Sequence, residues 1–346
     1  MVADLDLPSD CPDSACPAGV LSRQVSMREV HDTSNLKMDY LSDAQPGMTT
    51  TRKAIRLAKR LFTPAALLAI LYAAWNNRTH LTESFHSADP SCLFASILVW
   101  IALHAIAPAF SVAGLATFGY RASFSDAFYI HNRRLPAKYL PGGIWHTVAK
   151  SADYKSHGAT GFQITGYLIT ENVMLVVGAA LLGSVMLLLS ESAPALTIVL
   201  TAVVSGGLIA LIFAPLLLRL YRKNMTDSFH ALPYTLSAIL ILLHWSVAAT
   251  SFTLYLKAFP DISATLSFTQ SAGAYLVSWA AGYIAIFAPQ GIGVAEAVSA
   301  SLLREAGSIG GLIVLIATFR AVVFVADIGA WLMTITAFHL TKSRST

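Results

Sequence analysis

The run Pro289-Gln290-Gly291-Ile292-Gly293, followed by Glu296, is the segment of this sequence best suited to chemistry. It places helix breakers and a carboxylate directly after the apolar stretch 271–288, which is long enough to enter a bilayer. In lipid, interrupted backbone is stable only where protein or a water-filled cavity satisfies its polar groups. These residues therefore predict part of a binding site rather than a surface loop.

A similar run, Pro141-Gly142-Gly143-Ile144-Trp145, occurs earlier in the chain. Two interrupted segments in different halves of a membrane protein indicate a central binding region. The N–H groups and the dipole at the start of a helix after such a break attract anions. The alternative, that a Pro-Gly pair merely ends a helix at the membrane interface, stays open.

Basic residues precede the earlier run: Arg133, Arg134 and Lys138 come shortly before Tyr139 and Trp145. Arginine forks onto phosphate oxygens, and aromatic rings settle at the membrane interface, so this group suits a phosphate headgroup. The competing interpretation is ordinary positive charge beside an aromatic belt. We expect that simpler interpretation to hold for Lys150 and Lys155.

A few ionisable side chains fall inside apolar stretches, where charge is costly and usually faces a cavity or a partner. Arg320 is expected to meet an anionic headgroup, and Glu171 to set polarity or couple protons. Asp327, seven residues from Arg320 and near the same helix face, is a weaker candidate. The alternative for all of them is a structural ion pair or a side chain that reaches out to the membrane interface. His104 and His244 are expected to bond neighbouring helices rather than relay protons.

Composition excludes an ordinary soluble domain, since 55% of residues are hydrophobic, only 12% are charged and the mean hydropathy is +0.61. Soluble chains have about 25% charged residues. No nucleic-acid module, metal-ligand set, catalytic Ser/His/Asp set or nucleotide motif is recognisable, so we expect no catalytic residue, metal or cofactor. The net charge of +4 fits basic loops beside anionic lipid.

Apolar segments predict an all-α fold, a polytopic transmembrane helix bundle of about seven or eight spans with broken or re-entrant helices. The segments are 61–75, 92–118, 161–189, 195–218, 232–256, 271–288 and 310–340. Residues 1–50 predict a disordered polar tail, 51–340 one integral membrane domain, and 341–346 a C-terminal tail.

Basic residues at 52–60 and in the predicted loops 119–159 and 219–223 place the N-terminus in the cytoplasm of a multi-pass protein. Seven crossings would leave Lys342 and Arg344 outside, against that rule. An eighth crossing at 294–306, or a break near Arg320, would return them inside. We favour a re-entrant or half-length helix at 294–306.

Several of these residues together resemble a known family. The run 135–145, Glu171, the run 288–297 and Arg320 are similar to the flippase-like transmembrane module of lysylphosphatidylglycerol synthases and of free-standing bacterial membrane proteins built on it. The resemblance covers about residues 52–340. It implies a bacterial inner-membrane protein with a lipid-headgroup cavity, and the absent soluble domain makes the synthase reaction unexpected.

Three positions depart from the family pattern: Gln290 stands for a glycine, Ala295 for an arginine, and Asn172 for an arginine after Glu171. The last two remove cations that could hold phosphate, which leaves room for a different substrate. The predicted cavity residues are Arg133, Arg134, Lys138, Tyr139, Pro141, Gly142, Gly143, Trp145, Glu171, Pro289, Gly291, Gly293, Glu296 and Arg320.

Three functions remain open at this point. The first is translocation, or assisted translocation, of a membrane lipid or lipid-linked glycan. The second is a membrane-embedded transferase using a lipid-linked donor, with Glu83, Asp89 and Asp261 as its candidate carboxylates. The third is a non-catalytic subunit of an envelope-assembly complex. Membrane lipids are the expected partners, with a homo-oligomer or envelope-assembly proteins as further possibilities and no nucleic acid.

Overall fold

A computed structural model describes residues 64–140, 144–190, 194–221 and 230–343, which form helices and turns with no strand among them. The predicted tail 1–50 and the basic residues 52–60 lie outside this range. The helices are α1 (Pro64–Asn76), α2 (Arg78–His86), α3 (Pro90–Thr117), α4 (Phe124–Arg133), α5 (Trp145–Ser156), α6 (Gly161–Leu188), α7 (Pro194–Tyr221), α8 (Ala231–Lys257), α9 (Phe268–Ile284), α10 (Val294–Leu302) and α11 (Ile309–Ser343). Single turns occupy Leu135–Tyr139, Pro260–Ser263, Pro289–Gly291 and Arg304–Ala306.

Among the described residues, five helices are long and apolar enough to cross a membrane: α3, α6, α7, α8 and α11. The chain is therefore an all-α, polytopic integral membrane protein, as the hydropathy predicts. The shorter apolar helix α1 corresponds to the first predicted segment. The helix α9, with 17 residues, corresponds to the sixth and ends four residues before the predicted boundary at Ala288.

Polar residues at the helix starts explain several boundaries. Asp89 accepts the Ser91 N–H and caps α3, whose first residue is Pro90. Thr160 and Gln163 form a reciprocal capping box at α6, and Ser267 and Gln270 do so at α9. Each side chain satisfies a backbone N–H that has no partner within its helix.

The helices α3 and α8 form the centre of the bundle. Ser96 on α3 and Ser251 on α8 each donate a hydrogen bond of 2.8 Å to the other's backbone carbonyl oxygen. Half of the most apolar stretch of α8 is buried, against 6% for that of α7, so α7 lies at the periphery. Small residues and hydroxyl pairs hold helices together in lipid, where burial of apolar surface contributes little.

Residues 119–159, predicted as a loop, are mostly helical. The helices α4 and α5 pack against α3 and α6 respectively and bury Ile130 and Tyr154 almost completely. The predicted basic loop is therefore a connection built largely of packed helices. The hydropathy of this stretch is low because it contains charged residues. These residues can nevertheless be buried because they form ion pairs.

A helical hairpin interrupts the pattern of crossings. From α9 the chain turns at Pro289–Gly291 and returns as α10, which packs against α9. Nine residues of helix are about 14 Å long, half the hydrocarbon thickness of about 30 Å, so α10 cannot be an eighth crossing. The predicted half-length helix is confirmed. The alternative of a break near Arg320 is wrong, because α11 is continuous over 35 residues.

Contacts between connections define the two ends of the bundle. The Asp89 N–H donates to the Ala258 carbonyl at 2.8 Å, and Ser308, just before α11, contacts Asn77 at 3.3 Å. At the opposite end Tyr129 of α4 stacks on Phe338, near the end of α11. The helix α11 therefore runs from the end that carries the connections around 77–89 and 258 to the end that carries α4.

Close packing of α6 on α9 depends on Gly183, where an added Cβ would lie 2.7 Å from Leu276 Cβ and 2.9 Å from the Val277 backbone nitrogen. We expect Gly183→Ala to lower the free energy of unfolding by about 1–3 kcal/mol, because two backbones must separate. The measurement is the thermal unfolding midpoint in detergent. Gly206→Ala is the matched control, since an added Cβ there meets nothing within 4 Å. Equal midpoints would contradict this packing.

Candidate functional site

The hairpin turn owes its shape to glycine. Gly291 and Gly293 have positive φ angles of 68° and 86°, and an added Cβ at Gly291 would lie 2.9 Å from Gly282 Cα on α9. Gln290 also has a positive φ, 55°, although it is not glycine. A side chain at Gly291 would therefore be excluded both by its backbone conformation and by the neighbouring helix.

Glu296 and Arg320 form an ion pair beside this turn. Glu296 is 2% exposed; its Oε1 accepts from Arg320 Nε at 2.7 Å, and its Oε2 accepts from the Gly293 N–H at 2.7 Å. The Glu296 carboxylate thus satisfies the start of α10 and holds the guanidinium of α11. The Arg320 side chain remains 42% exposed, so part of its donor fork faces outward.

Asp327, on the same helix, is the most heavily bonded carboxylate of the described residues. Its side chain is 0% exposed. Oδ1 accepts from Trp100 Nε1 at 3.2 Å and from His104 Nε2 at 2.9 Å, and Oδ2 accepts from Lys138 Nζ at 2.7 Å and from the Tyr139 hydroxyl at 2.8 Å. The expectation that His104 bonds a neighbouring helix is confirmed.

Gln290 connects the two predicted motifs. Its side-chain Nε2 donates to the Lys138 carbonyl oxygen at 3.2 Å, and the Arg320 guanidinium lies 3.4 Å from the Gln290 carbonyl oxygen. The start of the first motif and the hairpin turn are therefore adjacent. Pro141, Gly142 and Gly143 lie outside the described residues, and Trp145 begins α5 with its side chain about half exposed.

Arg133 and Arg134, expected at a phosphate, both contact Asp153 of α5. Arg133 reaches Asp153 Oδ1 at 2.6 Å, and Arg134 forks onto both oxygens at 2.8 Å. Burial alone would raise the pKa of Asp153, but the hydrogen bonds from the two arginines outweigh it and lower that pKa. Two cations share one carboxylate, so this group carries a net positive charge.

Lys150 is buried, contrary to its interpretation as an ordinary loop charge. Its Nζ donates to both Glu171 oxygens at 2.8 and 2.9 Å and to the Tyr167 hydroxyl at 2.8 Å. The Tyr167 hydroxyl donates in turn to Glu171 at 2.7 Å. Glu171 therefore pairs with Lys150 of α5, while Arg320 pairs with Glu296. Asn172 accepts a hydrogen bond from Tyr283 of α9.

Two further histidines were not singled out in the sequence because they lie in the stretch predicted as a loop. His131 Nε2 is 3.4 Å from His104 Nδ1, and its ring packs edge-to-face on His146 with centroids 5.4 Å apart. His131 Nδ1 and His146 Nε2 are buried and have no hydrogen-bond partner in the described structure. Burial lowers the pKa of both imidazoles.

Comparison with protein-family models, with curated proteins and with solved structures gives no match for this chain. The fold and the site therefore define a class only: a polytopic α-helical membrane protein whose interrupted hairpin meets buried ion pairs. Of the carboxylates considered for a transferase, Asp89 serves as the cap of α3.

The buried His131 and the half-buried His146 predict acid sensitivity. Burial, with Lys150 and Lys138 adding to it, lowers the pKa of His146 from 6.5 to about 3. Below pH of about 6.5 the unfolded chain gains a proton at His146 that the folded chain does not accept. The free energy of unfolding therefore decreases as the pH is lowered. At pH of about 5 this amounts to about 2 kcal/mol for one such histidine.

We expect His146→Phe to reduce the fall in unfolding midpoint between pH of about 7 and about 5, measured in detergent. His131 remains and keeps part of the dependence. The control is His86→Phe, at an exposed position of α2. An unchanged pH dependence in His146→Phe would show that His146 is protonated as easily in the folded chain as in the unfolded one.

Proposed function

We propose that this protein translocates, or assists the translocation of, a lipid or lipid-linked glycan between the leaflets of a bacterial inner membrane. The observation that carries the proposal is a pair of partly exposed cations beside interrupted backbone. Arg320 is 42% exposed and Lys138 is 37% exposed, whereas their carboxylate partners are 2% and 0% exposed.

Anchoring by a buried carboxylate suits a cation that must bind an anion reversibly. Glu296 and Asp327 hold the two cations in place and offset the cost of keeping charge at membrane depth. The outward donors remain free for phosphate oxygens, which arginine binds in a fork. Gln290, in contact with both, places the two cations on either side of one short segment.

The resemblance to the flippase-like module of lysylphosphatidylglycerol synthases supports the same proposal. The residues that carry the resemblance, among them Pro289, Gly291, Glu296 and Arg320, form the hairpin turn and its ion pair. Glu171 and the Arg133–Arg134 pair would lie in the same polar region as secondary contacts. The three departures from the pattern leave the identity of the lipid to the experiment.

Replacing Arg320 by lysine tests the proposal, because lysine keeps the charge beside Glu296 but cannot also fork onto phosphate. We expect the rate of lipid exchange to fall about tenfold, the equivalent of one charge-assisted hydrogen bond. The measurement is leaflet exchange of fluorescent phosphatidylglycerol and fluorescent polyprenyl phosphate in proteoliposomes, read by quenching the outer leaflet.

Arg304→Lys is the matched control for this exchange assay, since Arg304 is exposed and has no ion pair within the described structure. Its rate should equal that of the wild type. If the wild type exchanges none of these lipids faster than protein-free vesicles, the proposed function is wrong. Equal rates for Arg320→Lys and wild type would remove Arg320 from the headgroup site.

We further propose six crossings, α1, α3, α6, α7, α8 and α11, with the α9–α10 hairpin re-entering from the non-cytoplasmic side. This arrangement keeps the basic residues 52–60 and the region of α4 and α5 in the cytoplasm, together with Lys342 and Arg344. The contacts at the two ends of the bundle agree with this topology. Asn77 and Ser308, both assigned to the non-cytoplasmic side, are in contact. Tyr129 and Phe338, both assigned to the cytoplasmic side, are also in contact.

Single cysteines introduced into a variant without Cys11, Cys16 and Cys92 check this orientation. A membrane-impermeant maleimide added to intact cells should label Ser87→Cys, in the connection after α2, and should label Lys155→Cys only after the membrane is opened. Both positions are exposed in the fold. The reverse labelling pattern would invert the proposed topology.

A further inference from the structure

We infer that binding of an anionic headgroup at Lys138 is coupled to uptake of one proton by Asp327, and that His131 and His104 deliver this proton. The inference deepens the proposed function, on which it rests for the identity of the anion. The row of groups begins at an unpartnered nitrogen of His131 and ends at the carboxylate that holds Lys138.

Hydrogen-bond distances define the row. His104 Nε2 lies 2.9 Å from Asp327 Oδ1, and because a carboxylate ion only accepts, that nitrogen carries the hydrogen. The other nitrogen of His104 lies 3.4 Å from His131 Nε2, and in the proposed starting state it accepts the hydrogen of that atom. His131 Nδ1 is then a bare acceptor, buried and without a partner in the described part of the chain.

Groups from every neighbouring element determine where a proton can stay. His131 is faced by His104 of α3, by His146 and Lys150 of α5, and by Lys138 of the turn Leu135–Tyr139. None of these is acidic, so a proton is unstable on His131. Asp327 is the carboxylate at the end of the row, reached through His104, and it keeps the proton once Lys138 pairs with the bound anion instead.

The proton transfer balances, and neither imidazole is left charged at its end. A proton from water binds His131 Nδ1, the hydrogen on His131 Nε2 moves to His104 Nδ1, and the hydrogen on His104 Nε2 moves to Asp327 Oδ1. Both imidazoles end neutral with their hydrogens on the opposite nitrogens. Asp327 gains one proton and becomes a neutral acid, which donates back to His104 Nε2. The reverse sequence restores the starting state.

Neutralising Asp327 frees Lys138, because the ammonium group loses the counter-ion at 2.7 Å from it. A phosphate oxygen can then take the place of the carboxylate, and the charge of the site is unchanged by the combined exchange. Arg320 and Glu296 have no comparable row of imidazoles in the described structure. Proton coupling is therefore a property of the Lys138 half of the site.

Calorimetric titration of the full chain in detergent with dihexanoyl phosphatidylglycerol tests the coupling, using two buffers that differ in ionisation enthalpy. We expect the wild type to take up one proton per ligand bound and its Kd to rise about tenfold per pH unit where Asp327 is ionised in the free protein. Asp327→Asn should bind with no proton uptake and a Kd independent of pH. Lys138→Gln should weaken binding without the pH dependence.

The role of the histidines is kinetic, so it needs a rate measurement. Stopped-flow mixing of the same ligand with a pH indicator should show proton uptake slowed about tenfold or more in His131→Phe, with the same final uptake as the wild type. The control is His86→Phe, on the exposed face of α2. Equal uptake rates in wild type and His131→Phe would exclude the relay.

Ligand binding by the wild type without proton uptake would overturn the coupling while leaving lipid exchange, measured separately in proteoliposomes, intact as a function. Absence of binding in the wild type, or binding unaffected by Lys138→Gln, would also overturn it. Lipid exchange that fails together with binding would reject the proposed function as well.

Discussion

The arrangement of the site depends on the hydrogen bonds that the Asp327 carboxylate accepts. This carboxylate joins α11 to Trp100 and His104 of α3 and to Lys138 and Tyr139 of the connecting turn, all through its two oxygens. A lone charge would be unstable at this depth, and four donors make it stable. The same bonds fix the position of the turn that leads to α5. The groups that stabilise this one charge therefore also hold together segments that are far apart in the sequence.

Other ion pairs also join one helix to another. Glu171 with Lys150 ties α6 to α5, and Glu296 with Arg320 ties α10 to α11. Between helices in lipid there is little hydrophobic driving force, so such bonds and close glycine contacts set the geometry. Removing one member of a buried pair leaves the other charge unpaired, which is costlier than losing both. The pairs therefore specify which helices meet.

Hydropathy predicts the long helices closely: the predicted segments 161–189 and 232–256 correspond to the helices Gly161–Leu188 and Ala231–Lys257. The half-length helix α10 was also predictable, because Pro-Gly breaks and an apolar segment too short to cross occur together. The pairing of charges was not. Lys150 and His131 lie in a stretch whose polarity resembles that of a loop, and only the packing of α4 and α5 reveals that they are buried. Asp327 was undervalued because its partners come from two distant segments, α3 and the turn Leu135–Tyr139.

Gln290 stands where the resembled family pattern has glycine, and its side chain makes a contact that a glycine could not make. Its φ of 55° costs about 1–3 kcal/mol for a residue other than glycine. A glycine would avoid that cost but would have no side chain to donate to the Lys138 carbonyl. The same residue offers its own carbonyl to Arg320. The strained conformation therefore connects the hairpin turn to the segment that carries Lys138, and it holds the two cations of the site in one arrangement rather than in two independent ones.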